Sequence, residues 1–356
     1  MGKFIFVFIS SFFFISSCAD KREDDLVTKH ASFVKEEFIY EIEDALTPQC
    51  HASTIASSGS TLISAWFGGT EEKNKDVGIW VSRKSDNDWG KPVEVVNGIQ
   101  DDGSRYPCWN PVLFQPREGP LFLFYKVGPN PKEWWGLYVT SEDEGETWSD
   151  PVKLPEGIYG PIKNKPVQLS NGDILSPTST EHDGWKVQIE RSSDAGKTWT
   201  SSGDLNDGEE FGAIQPAILI HPNKQLQILC RTENEVITEV WSEDNGANWG
   251  EIKATRLPNP NSGIDAVTLI DGRHLLVYNP TSENWGDRVP LTLAVSEDGV
   301  NWKDVLELES VTNPETTAEE EYSYPSIIQT DDEMVHVVYT WNRKTVKYVL
   351  IDPEHI

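Results

Sequence analysis

The chain has 356 residues, with 58 acidic side chains against 30 basic ones and a formal net charge of -28. A nucleic-acid polyanion would meet a repulsive field and release few counterions on such a surface, so that partner class is excluded. Hydrophobic residues make up 37%, including 14 Trp, 13 Phe and 10 Tyr, which is enough to fill a large core in one all-β domain.

In chain order, residues 1–18 read as a targeting segment. Lys3 supplies a positive start and Phe4 to Ile15 an apolar run too short to span a bilayer comfortably. Ile15-Ser16-Ser17-Cys18 resembles the bacterial lipobox, which implies lipidation at Cys18. The implied location is a lipid anchor at the outer membrane, on the cell surface or in the periplasm. The charged stretch that follows reads as a flexible tether over residues 19–35, leaving 36–356 for the folded domain.

Self-similarity dominates the rest. Ser141-Glu-Asp-Glu-Gly-Glu-Thr-Trp148 recurs as Ser192-Ser-Asp-Ala-Gly-Lys-Thr-Trp199 and as Ser242-Glu-Asp-Asn-Gly-Ala-Asn-Trp249. Ser296-Glu-Asp-Gly-Val-Asn-Trp302 is one residue shorter, and Ser82 to Trp89 is a degraded copy. The terminal tryptophans lie about 50 to 60 residues apart, the length of a four-stranded blade. Within each box the Asp accepts backbone N–H groups, the Gly takes φ > 0 and the Trp plugs the blade edge. The box aspartates are therefore structural.

The expected strands of blade 1 are His51–Ser57, Thr61–Phe67, Val77–Arg83 and Pro92–Val96. Blades 2 to 5 begin at Asn110, Asn164, Gln215 and Ile264. Tyr324–Thr330, Met334–Asn342 and Thr345–Asp352 form a sixth blade lacking one strand, which Phe38–Glu43 is expected to supply. The expected fold is a six-bladed β-propeller closed by an N-terminal strand. A closed ring needs no partner, so a monomer is expected. Cys50 and Cys108 open inner strands of neighbouring blades. Either they pair, or they and Cys230 are buried free thiols. No Cys-x-x-Cys or His-x-x-x-His spacing occurs, and neither metal nor cofactor is expected.

Five Asp-box-like turns in a six-blade pattern resemble the sialidase superfamily over essentially the whole mature chain. Gln49-Cys-His-Ala-Ser-Thr-Ile55, Trp109-Asn-Pro-Val-Leu-Phe114, Gly160-Pro-Ile-Lys-Asn-Lys-Pro166, Pro258-Asn-Pro-Asn-Ser-Gly-Ile-Asp265 and Tyr322-Ser-Tyr-Pro325 resemble its BNR-repeat branch in bacteria and plants. Members tied to polysaccharide degradation, including that of ulvan, are similar. Sialidases use three arginines on the substrate carboxylate, a Tyr nucleophile paired with a Glu, and an Asp acid. The resemblance places Arg231 as the second arginine, Arg288 as the third, Tyr322 or Tyr324 as the nucleophile and Asp76 as the acid. It also departs from that pattern. The Arg-Ile-Pro motif of the first arginine is absent, with Gln49-Cys50-His51 near its place, and Gln215 stands where the Glu is expected. An amide cannot take the tyrosine's proton, so ordinary sialidase activity does not follow.

Propellers bind ligands where inner strands begin and second strands end. Those positions give His51, Asn110, Lys163, Lys165, Gln215, Asp265, Tyr322 and Tyr324, then Lys126, Arg231, Asn279 and Arg343, with Arg288 on a nearby loop. The cations among them point to an anionic ligand group. Trp134, Trp135, Trp185 and Trp285 lie in loops and either stack on sugars or plug edges. Two chemistries fit. In β-elimination from the non-reducing-end uronic acid of an acidic oligosaccharide, arginine and lysine neutralise the carboxylate while His51, a tyrosine or a lysine moves the protons. The product identifies a lyase or a dehydratase. In exo-hydrolysis a carboxylated sugar is released intact. A non-catalytic glycan-binding lipoprotein is the third possibility.

Overall fold

The computed structural model describes residues 1–2, 30–85, 87–312 and 320–356; Cys18 and most of the expected tether lie outside them. Residues from Ala31 onward form one compact unit of six antiparallel sheets. Their inner strands are Gln49–Ser58, Cys108–Phe114, Val167–Gln168, Ala213–Ile220, Asp265–Thr268 and Tyr322–Gln329. The sheets follow one another in chain order as the blades of a propeller.

The core is a ring of apolar layers between adjacent blades. Ile63, Phe67 and Ile79 of blade 1 meet Leu113, Leu123 and Val139 of blade 2. Leu275, Val277 and Leu293 of blade 5 meet Val335, Val337 and Val349 of blade 6. Each sheet thus buries both faces, which is why its strands read as nearly continuous apolar runs. At the rim, Asp143 Oδ1 accepts the Thr147 N–H at 2.8 Å and the Ser141 hydroxyl at 2.8 Å, while Oδ2 accepts the Thr147 hydroxyl at 2.6 Å. Asp194, Asp244 and Asp298 repeat the turn.

The closing strand is Phe33–Phe38, ahead of the expected Phe38–Glu43, and so takes in residues assigned to the tether. It pairs antiparallel with Thr345–Ile351. Its charged run is what made it read as tether; at the outer edge those charges are used, with Lys347 bonding Glu36 at 2.9 Å and Lys84 bonding Glu37 at 2.5 Å. Phe38 sets its ring edge-on to Trp341 at 5.4 Å. Cys50, Cys108 and Cys230 are all buried and free, so the disulfide alternative is not realised.

Four inner strands share one irregularity. Ala52, Asn110, Gln215 and Tyr324 adopt positive φ at 55°, 36°, 57° and 52°. Each sits at a break in the pairing register with the second strand. These are β-bulges, in which an unpaired residue bends the strand and re-aims a side chain. Three of the four precede proline (Pro111, Pro216 and Pro325), which has no N–H to leave unpaired at the bulge.

The axis is crossed by two lysines from a single loop of blade 3. Lys163 donates to the Asn164 amide oxygen at 2.9 Å, to the Ile264 carbonyl of the loop entering blade 5 at 2.8 Å and to the Pro325 carbonyl of blade 6. Lys165 donates to Asp265 at 2.9 Å and to the Ala266 carbonyl at 2.9 Å. Asp265 Oδ2 also accepts the Ile327 N–H at 2.9 Å.

Two outcomes follow for stability. A chain beginning at Ile39 should melt roughly 10 °C or more below one beginning at Ala31, because it exposes the Thr345–Ile351 edge; differential scanning calorimetry checks this. Lys163→Met should cost about 1–3 kcal/mol for each acceptor it orphans, read by urea unfolding.

Candidate functional site

The bulges at Gln215 and Tyr324 bring both side chains to the axis on the side reached by Arg231, from the end of the Leu226–Thr232 strand. Arg231 is 3% exposed. Its Nε donates to Asn261 Oδ1 at 2.7 Å, and its Nη1 donates to the Tyr324 hydroxyl at 2.6 Å and to Gln215 Oε1 at 3.4 Å. Gln215 then turns its Nε2 to the Tyr324 oxygen at 3.3 Å. All three acceptors of the guanidinium are neutral. Burial pulls the Arg231 pKa down while Tyr324 pulls it up, and an arginine remains charged throughout. The site therefore holds a buried cation without a hydrogen-bonded carboxylate among the described residues.

His51 lies against Tyr324, ring centroids 4.1 Å apart. Burial, then the nearby Arg343, holds its pKa well below the ordinary histidine value; Glu321 opposes this, and Arg288 and Arg231 add to the depression. The ring is thus neutral at neutral pH. Its Nδ1 is buried without a partner, and its Nε2 stands 4.0 Å from Glu321 Oε1. Glu321 in turn accepts Arg288 Nη1 at 3.0 Å and Arg343 Nε at 2.8 Å. Burial alone would raise its carboxyl; His51, Arg288 and Arg343 hold it well below the carboxylate range. Since His51 is neutral, the two guanidiniums are what keep it there.

Trp185 and Trp285, from loops of blades 3 and 5, roof Arg231 at 5.3 and 5.4 Å from its central carbon. Burial raises the Glu181 carboxyl, against the pull of Arg231 and a hydrogen bond from Trp185. Beneath the cluster, a Cβ on Gly263 would stand 3.3 Å from Tyr324 and 3.4 Å from Gln215 and Lys163, so a larger residue there requires these neighbours to give by a few tenths of an ångström.

The sequence-derived residues divide accordingly. Arg231, Gln215, Tyr324 and His51 meet, and Arg288 joins them at 5.8 Å from the Tyr324 ring. Arg343 faces the same group but is held between Glu321 and Glu72. Lys163 lies 6.0 Å from the Tyr324 ring. Burial lowers its pKa to about 7, yet three oxygen acceptors need its three hydrogens; it ties blades together rather than facing a ligand. Lys165 and Asp265 satisfy one another below it. Lys126 is fully buried between blades 2 and 3, donating to the Pro161 carbonyl at 2.8 Å. Asn279 carries the Pro290 and Tyr322 carbonyls. Asn110 is buried at its bulge in blade 2. Tyr322 packs against Trp341 in the layer between blades 5 and 6, because the left-handed residue at 324 breaks the alternation that would put both tyrosines on one face. Asp76 accepts the Thr70 N–H and hydroxyl and sits below the usual carboxylate pKa, which suits an anion and not an acid. Trp134 is a plug against Trp109, and Trp135 meets Tyr106 edge-on.

Sequence reasoning missed Glu321, Asn261 and Glu181. Glu321 ends an acidic run that reads as a solvated face, while Asn261 lies inside the quoted Pro258–Asp265 segment.

A family model for the BNR repeat-like domain matches residues 60–337. A sialidase of Clostridium perfringens is 22% identical over 248 residues, which are 57% of this chain and 61% of that protein. Among solved structures, a Dyadobacter fermentans protein of unknown function superposes with a TM-score of 0.73 at 16% identity, covering 90% of this chain and 98% of that one. The NanB sialidase of Streptococcus pneumoniae gives 0.70 at 14% identity, covering 90% and 71%. The leech intramolecular trans-sialidase gives 0.68 at 14% identity, with the same coverage. The chain belongs to the BNR repeat-like family and carries it on a sialidase-type six-bladed propeller.

Proposed function

We propose that this protein is a secreted carbohydrate lyase or dehydratase that eliminates across C4–C5 of a non-reducing-end uronic acid. The observation that carries the reading is the direction of the hydrogen bonds at Tyr324. Its oxygen accepts from both Arg231 and Gln215, so its own proton is left to donate outward. A glutamate at position 215 would take that proton and free the oxygen as a nucleophile; the amide does the reverse. Tyr324 is thereby set up as an acid.

The remaining groups fit this direction. Arg231, lacking a bound carboxylate, takes the substrate's, and that pairing acidifies the C5 proton. Neutral His51 accepts the C5 proton at Nδ1, a nitrogen that is buried in the free protein and has to be uncovered as the substrate binds. The C5–H pair becomes the C4–C5 double bond, the C4–O bond breaks, and the departing oxygen takes the Tyr324 proton. Between turnovers His51 releases the C5 proton to solvent and Tyr324 regains one from it, which restores both residues. At the non-reducing end the C4 oxygen is a free hydroxyl that leaves as water, which makes a dehydratase; on an internal uronic acid, whose C4 oxygen carries a sugar, the same elimination makes a lyase. The lysine ties across the axis close the cavity beneath, which suits a chain end. An anchor at Cys18 would hold the domain at the cell surface or in the periplasm, supported by the pattern from Lys3 to Cys18.

One observation favours a second reading. Glu181, whose carboxyl burial pushes up beside Arg231, is placed to protonate a glycosidic oxygen, as an exo-hydrolase of carboxylated sugars needs.

The test is incubation with uronic-acid and sialic-acid oligosaccharides, ulvan-derived ones included, followed by ultraviolet absorbance of the unsaturated acid and mass spectrometry. Elimination gives a new chromophore, and Tyr324→Phe and His51→Ala each lower kcat by about 10²–10⁴-fold. Because His51 is depressed, turnover persists below pH 6.5 and falls only as the ring protonates. An intact acidic sugar without a chromophore, lost in Glu181→Gln, supports hydrolysis instead. Binding without any product supports a glycan receptor.

A further inference from the structure

We propose that Glu321 is the positioning residue of this site: it decides which nitrogen of His51 carries the proton and supports the charge that the ring takes up. The inference rests on the elimination reading for its catalytic meaning, but its geometry stands alone.

Glu321 is held from every side. Its N–H donates to Asn342 Oδ1 at 2.7 Å, and its carbonyl accepts the Asn342 N–H at 2.7 Å. Oε1 accepts the Ser323 hydroxyl at 2.6 Å and Arg288 Nη1 at 3.0 Å; Oε2 accepts Arg343 Nε at 2.8 Å. Arg343 is itself anchored to Glu72 of blade 1 at 2.7 Å. Three side-chain donors from blades 5 and 6 thus fix the carboxylate, and it does not follow His51 if that ring moves.

A neutral imidazole has one N–H and one lone pair. His51 Nε2 faces Glu321 Oε1 at 4.0 Å, while Nδ1 is buried without a partner. A hydrogen on Nε2 is attracted by the carboxylate; a lone pair there would oppose it. Glu321 therefore favours the Nε2–H tautomer and leaves the lone pair on Nδ1, which serves as the base once substrate binding uncovers it. Once Nδ1 is protonated, the imidazolium meets Arg231, Arg288 and Arg343, with Tyr324 packed on its face. Glu321 is the anion that offsets those cations around the charged ring.

The direct readout is the tautomer and titration of His51 in the full chain, from ¹⁵N shifts of histidine-labelled protein, with the signal assigned by its loss in His51→Gln. The wild-type chain is expected to show Nε2–H. Glu321→Gln, which keeps an acceptor for the arginines but removes the charge, should lose that preference and move the His51 midpoint lower. Glu321→Asp should restore both in part. In turnover, Glu321→Gln should lower kcat by about 10²-fold with KM within a few-fold, and move the acid limb of the rate profile to lower pH. A wild-type Nδ1–H tautomer, or an unchanged tautomer and midpoint in folded Glu321→Gln, overturns the inference. The wild-type spectrum decides even if the variant does not fold. A tautomer set by Glu321 in a chain that yields no unsaturated product supports the positioning role and overturns the elimination reading, so the two fail separately.

Discussion

A guanidinium buried at the axis of an acidic protein is the constraint around which the site is arranged. Removing a charge from water is expensive unless partners replace the lost hydration. Arg231 finds three partners, all uncharged: an asparagine, a glutamine and a tyrosine. They take three of its five hydrogens without cancelling its charge. Arg288 and Arg343 differ, because Glu321 and Glu72 neutralise them. Electrostatic demand for an anionic ligand is thus concentrated on one arginine, and the two aromatic rings above it restrict the approach of water.

The backbone makes this arrangement possible. Regular strands around a propeller axis would alternate their side chains between adjacent blades and present little to the channel. The left-handed residue in four inner strands breaks that alternation and aims Gln215 and Tyr324 at Arg231. Strain of this kind persists where surrounding structure over-determines it. Here the lysine ties across the axis and the close approach of Gly263 do so. Fold and site are joined at the same residues, since Pro325 accepts from Lys163 while the preceding Tyr324 accepts from Arg231.

Much of this was legible in the sequence because it is local. An Asp box is a turn whose hydrogen bonds lie within a few residues, so its five copies mark five blades directly, and the sixth, which lacks a box, is legible from its strand pattern. Arg231, Gln215, His51 and Tyr324 were legible as positions, since strand ends converge on one face. What stayed hidden depends on partners far away in the chain. Strand position puts Lys163 and Lys165 on the axis but says nothing of the carbonyls and the carboxylate that take up their hydrogens. Period-two reasoning treats Tyr322 and Tyr324 alike, and only the bulge separates them. The pairs Asn110-Pro111, Gln215-Pro216 and Tyr324-Pro325 were the available signal, because a proline inside a buried strand calls for a bulge. The charged run in Phe33–Phe38 hid a closing strand whose Glu36 and Glu37 find Lys347 and Lys84, partners far away in the chain.

The central claim is that this site breaks a carbon–hydrogen bond and not a glycosidic bond by nucleophilic attack. The most direct measurement is the turnover of a uronic-acid-terminated oligosaccharide carrying deuterium at C5, compared with its protium counterpart. Proton abstraction by His51 predicts a slower rate for the deuterated substrate and loss of the label from an unsaturated product. Equal rates, with the label retained in an intact released acid, would contradict the account and return the site to hydrolysis.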